Sequence, residues 1–141
     1  MIAVDTNVLL RYLLGDDPAQ SEKAEKLIAG NDEVLVTDVV LVETLWTLKG
    51  KKYQLGKTEL VGVVRTLFEE PNIRFEDGQV VWMALSDYRK AKCARGKGAD
   101  FADALIINKA KFTANSLNTL FNGSFTFDKA AQALPGARAP I

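Results

Sequence analysis

Short apolar runs alternate along the chain with longer stretches of helical spacing. Ile2 to Val4 form an apolar run cut by Asp5, and Asn7 to Leu14 follows with helix-compatible spacing before the breaker GDDP, predicting strand, turn and helix. From Pro18 to Ala29 the segment PAQSEKAEKLIA sets Pro at a helix start, alternates charges on one face and stops at Gly30, as a surface helix does. EVLVT (Glu33 to Thr37) is short and β-branched, and Asp38 is placed to cap a helix through VVLVETLWTLKGKK to about Lys52. LGKTELVGVVRTLFEE gives an amphipathic helix stopped by Pro71, and NIRF a short strand. DGQVVWMALSDYRKAKCARGKG gives a helix capped by Asp77 that turns basic at its end. A further helix begins in GADFADALII, and GSFTFD reads as a strand ending at Asp128. Between them FTANSLNTLFNG is asparagine-rich without a clean period, so the pattern leaves the end of that helix open.

Strands this short, alternating with helices, argue for an α/β fold: a mostly parallel sheet of four or five strands covered on both faces by helices. The 141 residues, 48% of them hydrophobic, suffice for one core, and no repeat or linker divides them, so a single domain over 1–141 is expected. Asp5 and Arg11 interrupt any leader-like apolar run and no stretch reaches membrane-spanning length, which predicts a soluble, cytoplasmic protein. The lone Cys93, among Lys90, Lys92 and Arg95, reads as a surface thiol.

Composition narrows the chemistry more than it narrows the fold. The chain has no histidine, which removes Ser-His-Asp and Cys-His catalysis, histidine-based ribonuclease chemistry and the His-containing zinc motifs together. What remains is carboxylates, hydroxyls, lysines or a hard metal. Eighteen basic residues balance eighteen acidic ones, so net charge does not announce a nucleic-acid partner.

In an open parallel sheet ligands bind beyond the carboxyl ends of the strands, where the strand order reverses. Asp5 and Asp128 end predicted strands, Glu43 lies in the helix after the second strand, and Asp100 and Asp103 open a helix. Four of the five have a plain structural role available. Asp100 and Asp103 have the spacing of an N-cap and its third residue, and Asp5 and Asp128 suit turns. Glu43, flanked by Leu41, Val42 and Leu45, reads as buried without such a role. Four or five buried carboxylates repel one another unless a cation joins them, and Mg²⁺ or Mn²⁺ prefers oxygen donors. Thr6, Asn7 and Thr126 are candidate orienters of those acids. Arg89, Lys90, Lys92, Arg95 and Lys97 precede the acidic helix, and Lys49, Lys51, Lys52 and Lys57 form a second basic group, either of which suits phosphate or a solvated helix end. Trp46, Phe68 and Trp82, at helical spacing, are expected in the core.

Taken together, MIAVDTNVLLRYLLGDDP, VVLVETLWTL, GADFADALI and TFDKAAQALPG resemble the PIN-domain ribonucleases, most closely the VapC-like toxins of bacterial type II toxin–antitoxin pairs. The resemblance covers nearly the whole chain in order. It implies an α/β/α sandwich, Mg²⁺- or Mn²⁺-dependent endonucleolytic hydrolysis of RNA, a homodimer and a cognate antitoxin. It also implies catalytic acids at Asp5, Glu43, Asp103 and Asp128, with Asp5, Asp100, Asp103 and Asp128 toward metal. The segment before Asp128 departs from the family pattern, which keeps open a non-catalytic PIN-like module that binds RNA or antitoxin. A receiver-type signalling domain needs an adjacent acid pair near the first strand, and AVDTN offers one acid. A haloacid dehalogenase-like phosphatase needs a second aspartate where Asn7 stands.

Overall fold

Three short strands pair in parallel in the N-terminal half of the chain. The computed structural model describes residues 1–93 and 98–141, which fall into two units, Met1–Glu76 and Asp77–Ile141, taken in turn below. In the first, β1 (Ile2–Ala3), β2 (Val34–Val36) and β3 (Ile73–Phe75) lie in the order β1-β2-β3, with Ile2 opposite Val34 and Val34 opposite Ile73. Parallel neighbours need crossover connections. Two helices supply each: α1 (Thr6–Leu14) and α2 (Pro18–Ile28) between β1 and β2, then α3 (Asp38–Lys49) and α4 (Lys57–Glu69) between β2 and β3.

The helix starts follow local chemistry. Asp5 Oδ1 accepts the Val8 N–H at 2.9 Å to cap α1, and Asp17 caps α2 ahead of Pro18. α1 stops at Gly15, whose left-handed backbone (φ 61°) lets its N–H return to the Arg11 carbonyl. The cap of α3 is Thr37, whose hydroxyl accepts from Val40, rather than Asp38; Asp38 is the first helical residue and gives its own N–H to the Glu76 carboxylate. α3 also ends at Lys49, a turn before the expected Lys52, because Gly50 is extended. Leu9, Ile28, Val34, Val36, Leu41, Leu48, Val64 and Leu67 are buried completely or nearly so, and Thr44 among them satisfies its hydroxyl on the Val40 carbonyl.

In the second unit α5 (Gly78–Lys90) packs on α6 (Phe101–Ser116). Tyr88 meets Phe101 edge-on with ring centroids 6.1 Å apart, and buried Asn108 donates to Asp87 Oδ2 at 2.9 Å and to the Ala104 carbonyl at 2.8 Å. α6 runs on to Ser116 and gives way to a turn at Asn118, which takes the left-handed conformation (φ 52°) that asparagine tolerates. β4 is Ser124–Phe125, shorter than GSFTFD suggested. It pairs in parallel with β5 (Ala137–Arg138) after a single 3₁₀ turn at Ala131–Ala133.

The fold is therefore α/β with parallel strands, as the pattern predicts. The described residues contain five strands, divided between a three-stranded and a two-stranded ladder instead of forming one sheet. The expected placement of the aromatics also needs correction. Trp46 and Trp82 are 56% and 50% exposed, whereas Phe68 is half-buried with its ring centroid 4.7 Å from that of Phe75.

Candidate functional site

All three strands of the first ladder point their carboxyl ends at one edge, so β1 delivers Asp5 there, β2 delivers Thr37 and Asp38, and β3 delivers Glu76. The strand order is sequential, so the order reversal expected to mark the ligand crevice does not occur among these three strands. Glu43, one turn into α3, joins this edge through a hydrogen bond: the Thr6 hydroxyl donates to Glu43 Oε2 at 3.0 Å. Thr6 thus orients the Glu43 carboxylate. Glu43 itself is exposed, which corrects the expectation of a buried acid; its polar head is carried by the outward face of a helix whose other face is apolar. Asp5 and Asp128 are exposed as well, and Asp100 and Asp103 are half-buried, so burial and mutual repulsion do not by themselves demand a cation.

The carboxylates divide their oxygens between structure and solvent. Asp5 uses Oδ1 for the α1 cap, Glu43 uses Oε2 for Thr6, and Asp128 uses Oδ1 for the Ala130 and Ala131 N–H groups at 2.9 and 3.3 Å; among the described residues the second oxygen of each accepts no hydrogen bond. In the second unit Asp100 and Asp103 form a capping box, the Asp100 N–H donating to Asp103 Oδ2 at 2.9 Å. Thr126 meets Asp128 at the backbone, its hydroxyl accepting the Asp128 N–H at 3.0 Å. Asn7 is exposed and faces a cleft instead of a carboxylate partner.

That cleft, of about 300 Å³, lies between α1 and α2 and begins at Asp5. Val8, Ala24 and Leu27 line it with apolar surface, and Asn7, Gln20 and Lys23 with polar groups. Arg11 in its wall donates to Gln20 at 2.9 Å and to both oxygens of Asp16 at 2.8 and 3.0 Å; the bonds to Asp16 hold its carboxyl below the usual range and push the guanidinium up. Sequence reasoning missed this cleft and the edge position of Glu76.

The donor set is oxygen throughout, with no histidine and with the one cysteine, Cys93, exposed, and it matches a hard divalent ion better than zinc. Among the described residues no three acids or thiols stand together as a ready cation cage. Mg²⁺ does not require one, since it is commonly held by one or two carboxylates with waters and substrate phosphates. Arg89 and Lys90 occupy the exposed last turn of α5, and Lys92 lies exposed just beyond it; Arg95 and Lys97 lie outside the described residues.

The family profile of the PIN domain matches residues 2–136, through both units. The chain belongs to the PIN-domain family. PIN domains are generally nucleases that use divalent metal ions, so the oxygen donors at the strand ends belong to a fold built for phosphodiester hydrolysis. No curated protein matches this PIN-domain chain. Among its described residues no helix is long and apolar enough to cross a membrane.

Proposed function

We propose that this PIN domain, read as one domain over 1–141, is a metal-dependent endoribonuclease and the toxin of a type II toxin–antitoxin pair. The observation that carries the reading is Asp5: in a chain of this family it stands at the carboxyl end of β1 with one oxygen fixed as a helix cap and the other unbonded. Asp5, Glu43, Asp103 and Asp128 are the catalytic acids of the proposal, and Asp5, Asp100, Asp103 and Asp128 hold Mg²⁺ or Mn²⁺. Such an ion supplies Lewis-acid polarisation of the phosphodiester and a nucleophile from water near neutral pH, which a chain without histidine otherwise lacks. The residues themselves do the positioning. The α1 cap fixes the Asp5 carboxylate, Thr6 fixes Glu43, and the capping box fixes Asp103. Arg89, Lys90, Lys92, Arg95 and Lys97 attract the phosphate chain without regard to sequence. A homodimer in the cytoplasm, silenced by a cognate antitoxin, completes the proposal.

The test is incubation of purified protein with mixed cellular RNA, in Mn²⁺ and in EDTA. Fragments that appear only with the metal are the expected result. RNA bound but left intact in Mn²⁺ would overturn the nuclease reading in favour of a non-catalytic binding module.

A further inference from the structure

We infer that Trp46 is a stacking platform for a base of the single-stranded RNA that the acidic edge acts on. The inference deepens the proposed function and rests on it for the identity of the substrate. α3 buries Leu41, Thr44, Leu45 and Leu48 and turns Val39, Glu43 and Trp46 outward. Glu43 and Trp46 are three residues apart, which puts them side by side on one helix face. Thr6 fixes Glu43 from the strand-end side, so the indole stands one helical step from a carboxylate already tied to the Asp5 edge.

Two features of this face select nucleic acid over a protein partner. The first is charge. From Thr44 to Thr58 the chain carries Lys49, Lys51, Lys52 and Lys57 and no acid of its own, against one neighbouring carboxylate, Asp16, that accepts from the Tyr53 hydroxyl at 3.4 Å, so the segment that follows Trp46 is net cationic and suited to phosphates. The second is the alternation of aromatic and basic groups: Trp46 precedes the lysines, and Lys52 Nζ lies 5.2 Å from the centre of the Tyr53 ring. Single-strand binders combine these two elements, a cationic track for the backbone and an aromatic face for the bases. An exposed tryptophan set between an acidic edge and a lysine run gives a strand somewhere to lay a base beside the bond to be cut.

The experiment separates this inference from the nuclease reading by measuring binding in EDTA, where no cleavage is expected. The chain has two tryptophans, so Trp82→Phe leaves Trp46 as the sole indole reporter. Titrating that variant with an oligouridine of about ten nucleotides should quench its emission, and an oligomer of the same length with abasic sugars should quench it far less. In anisotropy with labelled oligouridine, Trp46→Ala should raise Kd at least about fivefold and Trp46→Phe less, the range expected for loss of one stacked base. Circular dichroism checks that each variant is folded. Absence of quenching, an unchanged Kd in Trp46→Ala, or quenching equal with and without bases would overturn the inference. So would conversion of a dimer to a monomer by Trp46→Ala on size exclusion, which would assign the face to protein contact. A protein that cuts no RNA in Mn²⁺ yet binds through Trp46 keeps the platform and loses the nuclease. One that cuts RNA with the same KM in Trp46→Ala keeps the nuclease and loses the platform.

Discussion

Glu43 in the first unit and the acid pair of the second are held in opposite ways. Glu43 is fixed across 37 positions of sequence by the Thr6 hydroxyl, whereas Asp100 and Asp103 fix each other within one helical turn. The first arrangement needs the ladder of β1 and β2 to bring α1 and α3 together; the second needs only the start of α6. A long-range contact can orient a side chain without stabilising its own helix, while a capping box contributes to both. Substitutions that keep or delete the capping oxygen therefore separate chemistry from stability at the capping acids Asp5 and Asp103, and not at Glu43.

The largest effect is expected at Asp5. Asn caps a helix about as well as Asp, so Asp5→Asn should leave stability within about 0.5 kcal/mol. Metal-dependent RNA cleavage should nevertheless fall by about 100-fold or more. Asp5→Ala should lose activity equally and also about 1 kcal/mol of stability, read from urea unfolding. Equal activity in wild type and Asp5→Asn would remove this acid from the proposed chemistry.

At Asp103 the two readouts should move together in one variant and apart in the other. Asp103→Ala removes the acceptor for the Asp100 N–H and should cost about 1 kcal/mol alongside the lost cleavage. Asp103→Asn retains a carbonyl acceptor and should recover most of the stability without the activity. Glu43→Gln, with no cap to lose, should change activity alone. Matching stability losses in Glu43→Gln and Asp103→Ala would erase the distinction between the two arrangements.

The smallest effect concerns the second unit under alkaline conditions. Burial first, then the Asp100 and Cys93 charges, push the Tyr88 hydroxyl up to about 12. A phenol whose pKa is higher in the folded than in the unfolded chain binds more protons when folded. Its contribution to stability is complete below the unfolded value of about 10 and is lost as pH rises toward 12. Urea midpoints measured from pH 9 to 12 should decline more steeply for wild type than for Tyr88→Phe. Parallel curves would show that Tyr88 ionises without a folding penalty.

What the sequence made legible divides along the same line of local against distant. The Asp77 cap and the Asp100–Asp103 box were readable because every partner lies within four residues, whereas Asp5, read as a turn residue, caps α1. The Thr6–Glu43 bond was not, because it exists only once β1 and β2 pair. Trp46 misled for a related reason: α3 is apolar on nearly all sides, and periodicity cannot say which of its apolar residues faces outward. β5 spans only Ala137–Arg138, beside Pro135 and Gly136, and carries no periodic signal of its own. The departure before Asp128 has a physical counterpart, a turn at Asn118 and a short ladder in place of a strand in the three-stranded sheet.

The double duty of Asp5 has an evolutionary consequence. A related chain without the proposed RNA cleavage would still be selected for a residue able to begin α1, so Asp, Asn, Ser or Thr would persist at that position for folding alone. Glu43 starts no helix and is exposed, and its one bond, from the Thr6 hydroxyl, would be met as well by Gln, so the fold restrains it far less. The second acid, not the first, is the better marker of whether a related chain has kept its chemistry.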